Sequence, residues 1–163
     1  MLTTAQLQAL KAAIDADPVL SAQPLNSDGA FFIAAELNKE AAPAFIVWRK
    51  SVDTAEVGNT VNYIAVEAMT DANRNRINTF YSMNPESFSP SRPDIRTYWA
   101  NTFSGALGGQ GATTRDALET LWRRNATRAE QILATGTGTY QSPALMGFEG
   151  FLSYQEVEKA RNS

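Results

Sequence analysis

The sequence predicts an all-α fold, a helical bundle with a partly extended segment near its C-terminus. Three observations predict it. Apolar residues recur at three- and four-residue spacing in stretches divided by proline and glycine. Capping signals, a serine or threonine followed three residues later by an acid or a glutamine, open several of those stretches. Alternating strand runs with hairpin turns are missing, apart from a faint one between Leu145 and Leu152.

The first helix spans 3–16. Thr3 and Gln6 form its capping box, Leu7, Leu10 and Ile14 share a face, and Pro18 ends it. The turn AQPLNSDG leads to a second helix, Ala30 to Ala41, capped by Ser27 or Asp28, with Phe32, Ile33, Ala35 and Leu37 making a broad apolar face. PAFIVWRKSV, Pro43 to Val52, is rich in β-formers, but no partner strand lies nearby and Pro43 suits a first helical turn, so it reads as helix. A short helix covers Val61 to Met69. Thr70 then caps Asp71 to Met83, which turns Ile77, Phe80 and Tyr81 inward.

The connector NPESFSPSRPD carries three prolines. A helix of about Pro93 to Ser104 follows, started by Ser91 and Asp94, with Ile95, Tyr98, Trp99 and Phe103 inside. GALGGQGA is a glycine loop. Thr113 with Asp116 opens the strongest element, Thr114 to Thr135, where Leu118, Leu121, Trp122, Ala129, Ile132 and Leu133 keep helical spacing; such a helix is about 30 Å long. Gly136 stands where a C′ glycine belongs. The stretch ATGTGTYQSPALMGFEG, Ala134 to Gly150, has too many breakers for a helix. Ser153 with Glu156 caps a last helix, Tyr154 to Asn162. The expected division is therefore 1–135, a helical domain, and 136–163, an extended arm plus a short helix.

Composition narrows the chemistry. The 163 residues include no cysteine and no histidine. Thiolate nucleophiles, Ser-His-Asp and Cys-His arrangements and His-based metal sites are excluded within this chain; no cofactor and no metal site is expected. The start of the chain lacks the basic and apolar regions of a secretory signal, and no apolar run approaches the ~18 residues of a membrane span. Net charge is −3 but uneven: residues 71–128 carry eight arginines against five acids. Arginine suits planar ion pairs and phosphates, although solvated helix faces carry such residues by default. Arg124 and Arg128, four apart on the expected long helix, are candidates to meet a partner's acidic surface or phosphates.

Four motifs carry little chemistry. Gly136-Thr-Gly138-Thr lacks the lysine and the preceding strand of a phosphate loop and reads as a helix C-cap. Gly108-Gly109-Gln110 spells the release-factor tripeptide, but its glycines more simply supply positive-φ turns. Asn125-Ala-Thr127 spells a glycosylation sequon inside an expected helix. Glu36 with Glu40, or Asp15 with Asp17, are paired carboxylates of the kind an acid–base lysin needs; at polar helix positions exposed carboxylates are the default.

ATRAEQILATGTGTYQSPALMGFEGFLSYQEVEKA and MLTTAQLQALKAAIDADPVLS resemble runs in small morphogenesis proteins of tailed bacteriophages and prophages. The resemblance covers both ends of the chain and fades over residues 50–110. It implies a structural virion protein, non-enzymatic, made in the host cytoplasm and carried in the virion. The best analogue is a head–tail connector (adaptor) subunit, forming a ring in the neck beneath the portal. Its partners would then be further copies of itself and portal, neck or tail proteins, with packaged DNA nearby and no membrane. A capsid- or tail-associated assembly factor and a carboxylate lysin are the alternatives. The segment offers Tyr140, Leu145, Met146, Phe148, Phe151 and Leu152 for burial, either on a neighbouring subunit or portal or back over its own helices.

Overall fold

The structure is a computed structural model that describes residues 1–163. In chain order it contains α1 (Thr4–Ala16), α2 (Pro18–Ser21), α3 (Ser27–Leu37), β1 (Ile46–Trp48), β2 (Val52–Asp53), α4 (Thr54–Thr60), α5 (Tyr63–Glu67), α6 (Asp71–Met83), β3 (Ser87–Phe88), α7 (Pro93–Thr102), α8 (Gly111–Leu121), β4 (Arg123–Asn125), α9 (Arg128–Ile132), β5 (Ala134–Thr135), β6 (Leu145–Met146) and α10 (Tyr154–Arg161). The fold is mostly helical with some strands, the latter in three two-stranded ladders, β1–β4, β2–β3 and β5–β6.

Two compact units emerge, and their boundary is not at residue 135. Unit 1 combines Met1–Val47 with Asn125–Ser163, and unit 2 is Trp48–Arg124. Residues 136–163 belong to the same unit as the N-terminal helices.

Unit 1 is built on α1, α3 and α10. The Thr3–Gln6 and Ser153–Glu156 capping boxes both form, so α1 and α10 start where the sequence places them. Leu10, Ile14 and Leu20 pack with Ala30, Ile33, Ala34 and Leu37 of α3 and with Val157 and Ala160 of α10. The α3 helix starts and stops earlier than its expected span of 30–41. Asn26, not Ser27 or Asp28, is the cap, accepting from the Gly29 N–H, and Asn38 closes the helix. Ile33 and Leu37 are buried as expected, but Phe32 and Ala35, also expected inside, face out, because the stripe that meets the core is Ala30, Ile33, Ala34 and Leu37 at i, i+3, i+4, i+7 spacing.

Unit 2 gathers its core around aromatic rings: Phe80 of α6, Phe88 of β3, Trp99 and Phe103 of the α7 segment, and Trp122 after α8. Thr70 caps α6 at the expected position, and Phe80 is buried with Ile77 and Tyr81 against the same core. The α7 helix keeps its expected start at Pro93, but Arg92, not Ser91, is its cap residue and no side chain caps it; Ser91 bonds Ser89 and Asp94 pairs with Arg92 instead. Gly108 and Gly109 take positive φ in the loop before α8, and the Gln110 side chain accepts from Asn62.

The two largest departures from expectation share a cause. Residues 43–52 are not helical: β2 pairs with β3 as Val52↔Phe88 and Asp53↔Ser87, and Val47 bridges Ala144. The partners are tens of residues away, one of them in the proline-rich connector, so no local pattern announces them. The long helix 114–135 is really α8, β4 and α9. Helix α8 starts at Gly111, so the Thr113–Asp116 signal is unused. Thr127 with Glu130 forms a capping box that restarts the chain as α9. Arg124 therefore lies in a strand and Arg128 in the first turn of α9, and the two share no helix face; Asn125 of the sequon is also in the strand.

The arginine excess has a structural use within unit 2. Arg96 donates to the carbonyls of Pro90 (2.6 Å) and Ser91 (2.9 Å) and stacks over the Trp48 ring at 4.3 Å. Arg74 donates to the carbonyls of Glu67 (3.1 Å) and Met69 (2.9 Å), and Arg49 to that of Leu121 (3.3 Å) while pairing with Glu56. Each planar guanidinium closes a turn or helix end that offers unsatisfied carbonyls, a task a lysine point charge does less well.

Candidate partner-binding segment

The candidate segment, 134–152, is not free. It begins as a hairpin, with Ala134↔Met146 and Thr135↔Leu145 in register. The loop between is closed by Thr139 N–H to Ser142 O (3.2 Å) and Thr137 Oγ1 to Ser142 O (3.0 Å). The start of β1 lies against it: Ile46 N–H donates to Gly138 O at 2.8 Å, and Ala144 N–H to Ile46 O at 2.9 Å. Gly138 has φ +66, and a Cβ there would sit 2.2 Å from the Phe45 ring, so only glycine fits. Gly136, expected as a helix C′ residue, belongs to the same loop, because α9 stops at Ile132.

Four further ties hold 147–152 down. Gly147 N–H donates to Leu133 O (3.2 Å), and its carbonyl accepts from Gln6 Nε2 (3.0 Å). The carboxylate of Glu130, 1% exposed, accepts from Gly150 N–H (3.1 Å) through Oε1 and from Thr127 N–H (2.9 Å) through Oε2. The Asn38 side chain acts as a one-residue strand partner for Leu152, accepting its N–H at 2.7 Å and donating to its carbonyl at 2.9 Å. A buried carboxylate and a carboxamide thus satisfy backbone groups of a segment too irregular to satisfy its own.

The expected partner-binding residues divide accordingly. Leu152 and Met146 are buried in unit 1. Phe148 is half-buried against the helical core. Tyr140, Leu145 and Phe151 are exposed, Phe151 by 81%. Arg128 is engaged by Asp17 at 2.8 Å within the unit, and its N–H donates to Lys39 O. Arg124 is half-buried in β4. The hairpin and the 147–152 run have folded back over their own helices, one of the two arrangements expected for them. Glu130 and Asn38 escape a sequence reading. Glu130 has a signal, its place three residues after Thr127, hidden inside the apolar periodicity; Asn38 has none.

The acids considered for catalysis stand apart in structural tasks. Asp15 pairs with Lys11, and Glu36 with Lys39. The Glu40 backbone bridges Thr127. Asp17 caps α2 by accepting from Val19 and Leu20 N–H, and pairs with Arg128. The Arg128 hydrogen bond, then those of Leu20 and Val19, hold the Asp17 carboxyl below the usual carboxylate range. A carboxylate with a lowered folded-state pKa contributes stability above its unfolded pKa of about 3.9, and the contribution is lost as pH falls through the folded value. Asp17→Asn keeps a capping side chain and removes the charge. Urea melts should find wild type more stable at neutral pH, with the gap closing below about pH 4. A gap independent of pH would mean that the ion pair contributes nothing.

Comparison with protein-family models, with curated proteins and with solved structures returns no match.

Proposed function

We propose that this chain is a structural virion protein of a tailed phage, a head–tail connector (adaptor) subunit that assembles as a ring in the neck beneath the portal. One observation supports the reading above others. The two runs that resemble phage morphogenesis proteins lie more than a hundred residues apart, yet both fall in unit 1. Leu10, Ile14 and Leu20 from the first meet Ala129, Leu152, Val157 and Ala160 from the second in one core. Unit 2, residues 48–124, contains the part, residues 50–110, where the resemblance fades. The resemblance thus follows a physical unit rather than scattered segments. In this reading the chain has no catalytic role, and its function is to present surfaces to neighbouring subunits and to portal or tail proteins.

The test is quantitative mass spectrometry of purified virions, with copy number expressed against the major capsid protein. A neck ring predicts about a dozen copies, set by closed cyclic symmetry. Hundreds of copies would assign it to the shell or the tail tube, and absence from virions would remove the structural reading.

A further inference from the structure

The outer face of α3 is unlike a solvated helix surface. Ala30, Ile33, Ala34 and Leu37 point into the core, while Phe31, Phe32 and Ala35 point out. Phe31 is 55% exposed and Phe32 41%. A helix apolar on both sides is normally covered on both. The run 151–158 lies antiparallel beside it. Ser27 bonds Glu158 at 2.9 Å, Phe31 stacks on Tyr154 at 4.1 Å, and Asn38 holds Leu152. That register brings exposed Phe151 to the Ala35–Asn38 end of α3, whose outer side also carries Phe32 and the Phe31–Tyr154 stack. Patches of this kind mark interaction sites.

Unit 2 carries a socket. A cavity of about 370 Å³ opens between α6 and α7, lined by Phe80, Ile95 and Tyr98, with Met83 at its lip and the Arg92–Asp94 pair at its mouth. Its size is in the range of sites that take an aromatic group. Met83 is 76% exposed. The charges are opposed. Around the patch, residues 27–40 and 151–161, which take in α3 and α10 whole, hold five carboxylates (Asp28, Glu36, Glu40, Glu156, Glu158) against three basic residues (Lys39, Lys159, Arg161). Around the socket, residues 71–102 hold four arginines against three carboxylates, and Arg76 is exposed with no carboxylate partner.

We infer that exposed Phe151, at one end of this apolar face, docks into the α6–α7 socket of a second copy of this chain. Knob and socket are different surfaces, so the contact is head-to-tail, and repetition closes a ring or extends a filament. Opposite net charge favours this pairing over patch against patch. The inference names the neighbour for the neck-subunit reading and rests on it for its setting.

The chain has no cysteine, which makes the test clean. Gln155→Cys beside the patch and Thr79→Cys at the socket are made separately, mixed at about 1 mM, a concentration that populates even millimolar contacts, and joined with a short bis-maleimide. The expected product is a 155–79 dimer in excess over 155–155 and 79–79. Adding Phe151→Ser to the Gln155→Cys chain should cut its yield about tenfold, equivalent to about 1.4 kcal/mol, with the circular dichroism spectrum unchanged. Predominantly symmetric links, no links, or a yield indifferent to Phe151→Ser would each overturn the inference. A ring-like copy number in virions without the 155–79 link defeats this contact alone. The link in a protein absent from virions defeats the neck reading alone.

Discussion

Glu130→Ala should destabilise unit 1 by ~3–5 kcal/mol, enough to leave it marginal. The substitution strips the acceptor from two backbone N–H groups, those of Thr127 and Gly150. Each loses a hydrogen bond to a charged group, worth about 1.5–3 kcal/mol, of which half-buried Thr127 and exposed Gly150 can recover a part from water. The same change removes half of the capping box that starts α9 after β4. Glu130→Gln keeps one acceptor oxygen and should lose only ~1–2 kcal/mol. Urea melts paired with native-state hydrogen exchange separate the outcomes. Protection should fall first at residues 147–152, which the carboxylate ties to α9. A stability within about 1 kcal/mol of wild type for the alanine variant would show that Glu130 is not the clamp of this segment.

Trp99→Ala should act on unit 2 with similar force. Trp99 is 1% exposed and touches five rings: Phe80 at 5.0 Å, Phe103 at 5.8 Å, and Tyr81, Phe88 and Trp122 at 6.3 to 6.5 Å. Removing a buried indole costs ~3–5 kcal/mol in transfer and cavity terms, and ring pairs add ~0.5–1.5 kcal/mol each where their geometry is favourable. A loss of ~5 kcal/mol is expected, with exchange protection collapsing across residues 48–124. Trp99→Phe is the control. Its Nε1 has no hydrogen-bond partner, so the smaller ring sacrifices packing only and should cost about half as much. If Trp99→Ala is as mild as Trp99→Phe, the aromatic cluster does not organise this unit.

Elements with their own local instructions were legible in the sequence. The α1, α6 and α10 helices each follow a capping threonine or serine, α7 opens on Pro93, and each lies within two residues of its expected limits. What was not legible is long-range. Residues 46–48 and 52–53 are strands because distant segments meet them, and Trp122 ends a helix that apolar spacing alone would continue to Thr135. The 134–152 segment shows in its sequence that it is irregular and rich in groups for burial. Its destination does not show there, since Asn38 and Gln6 reach it across more than a hundred residues. Only Phe151, Leu145 and Tyr140 keep the exposure that a docking role needs. Truncation at residue 136 is for this reason a poor probe of docking: it removes Leu152, Val157 and Ala160 from the core of unit 1, and point changes at Phe151 are needed instead.

The interleaving of the two units has a consequence for the nascent chain. During synthesis α1, α2 and α3 leave the ribosome first but cannot complete their core, because α9 and α10 come last. At ~5–20 residues per second the helices wait on the order of ten seconds with apolar faces uncovered. Residues 48–124 can mature in the interval, and folding draws their ends together: Arg49 N–H reaches Trp122 O at 2.8 Å. An unfolded insertion of that length would add several kcal/mol of loop-closure entropy to the first contact that joins its two flanks, whereas a folded one acts as a short loop. The middle of the chain is thereby cast as an internal tether, folded in time to shorten the span between the first helices and the last ones that complete their core.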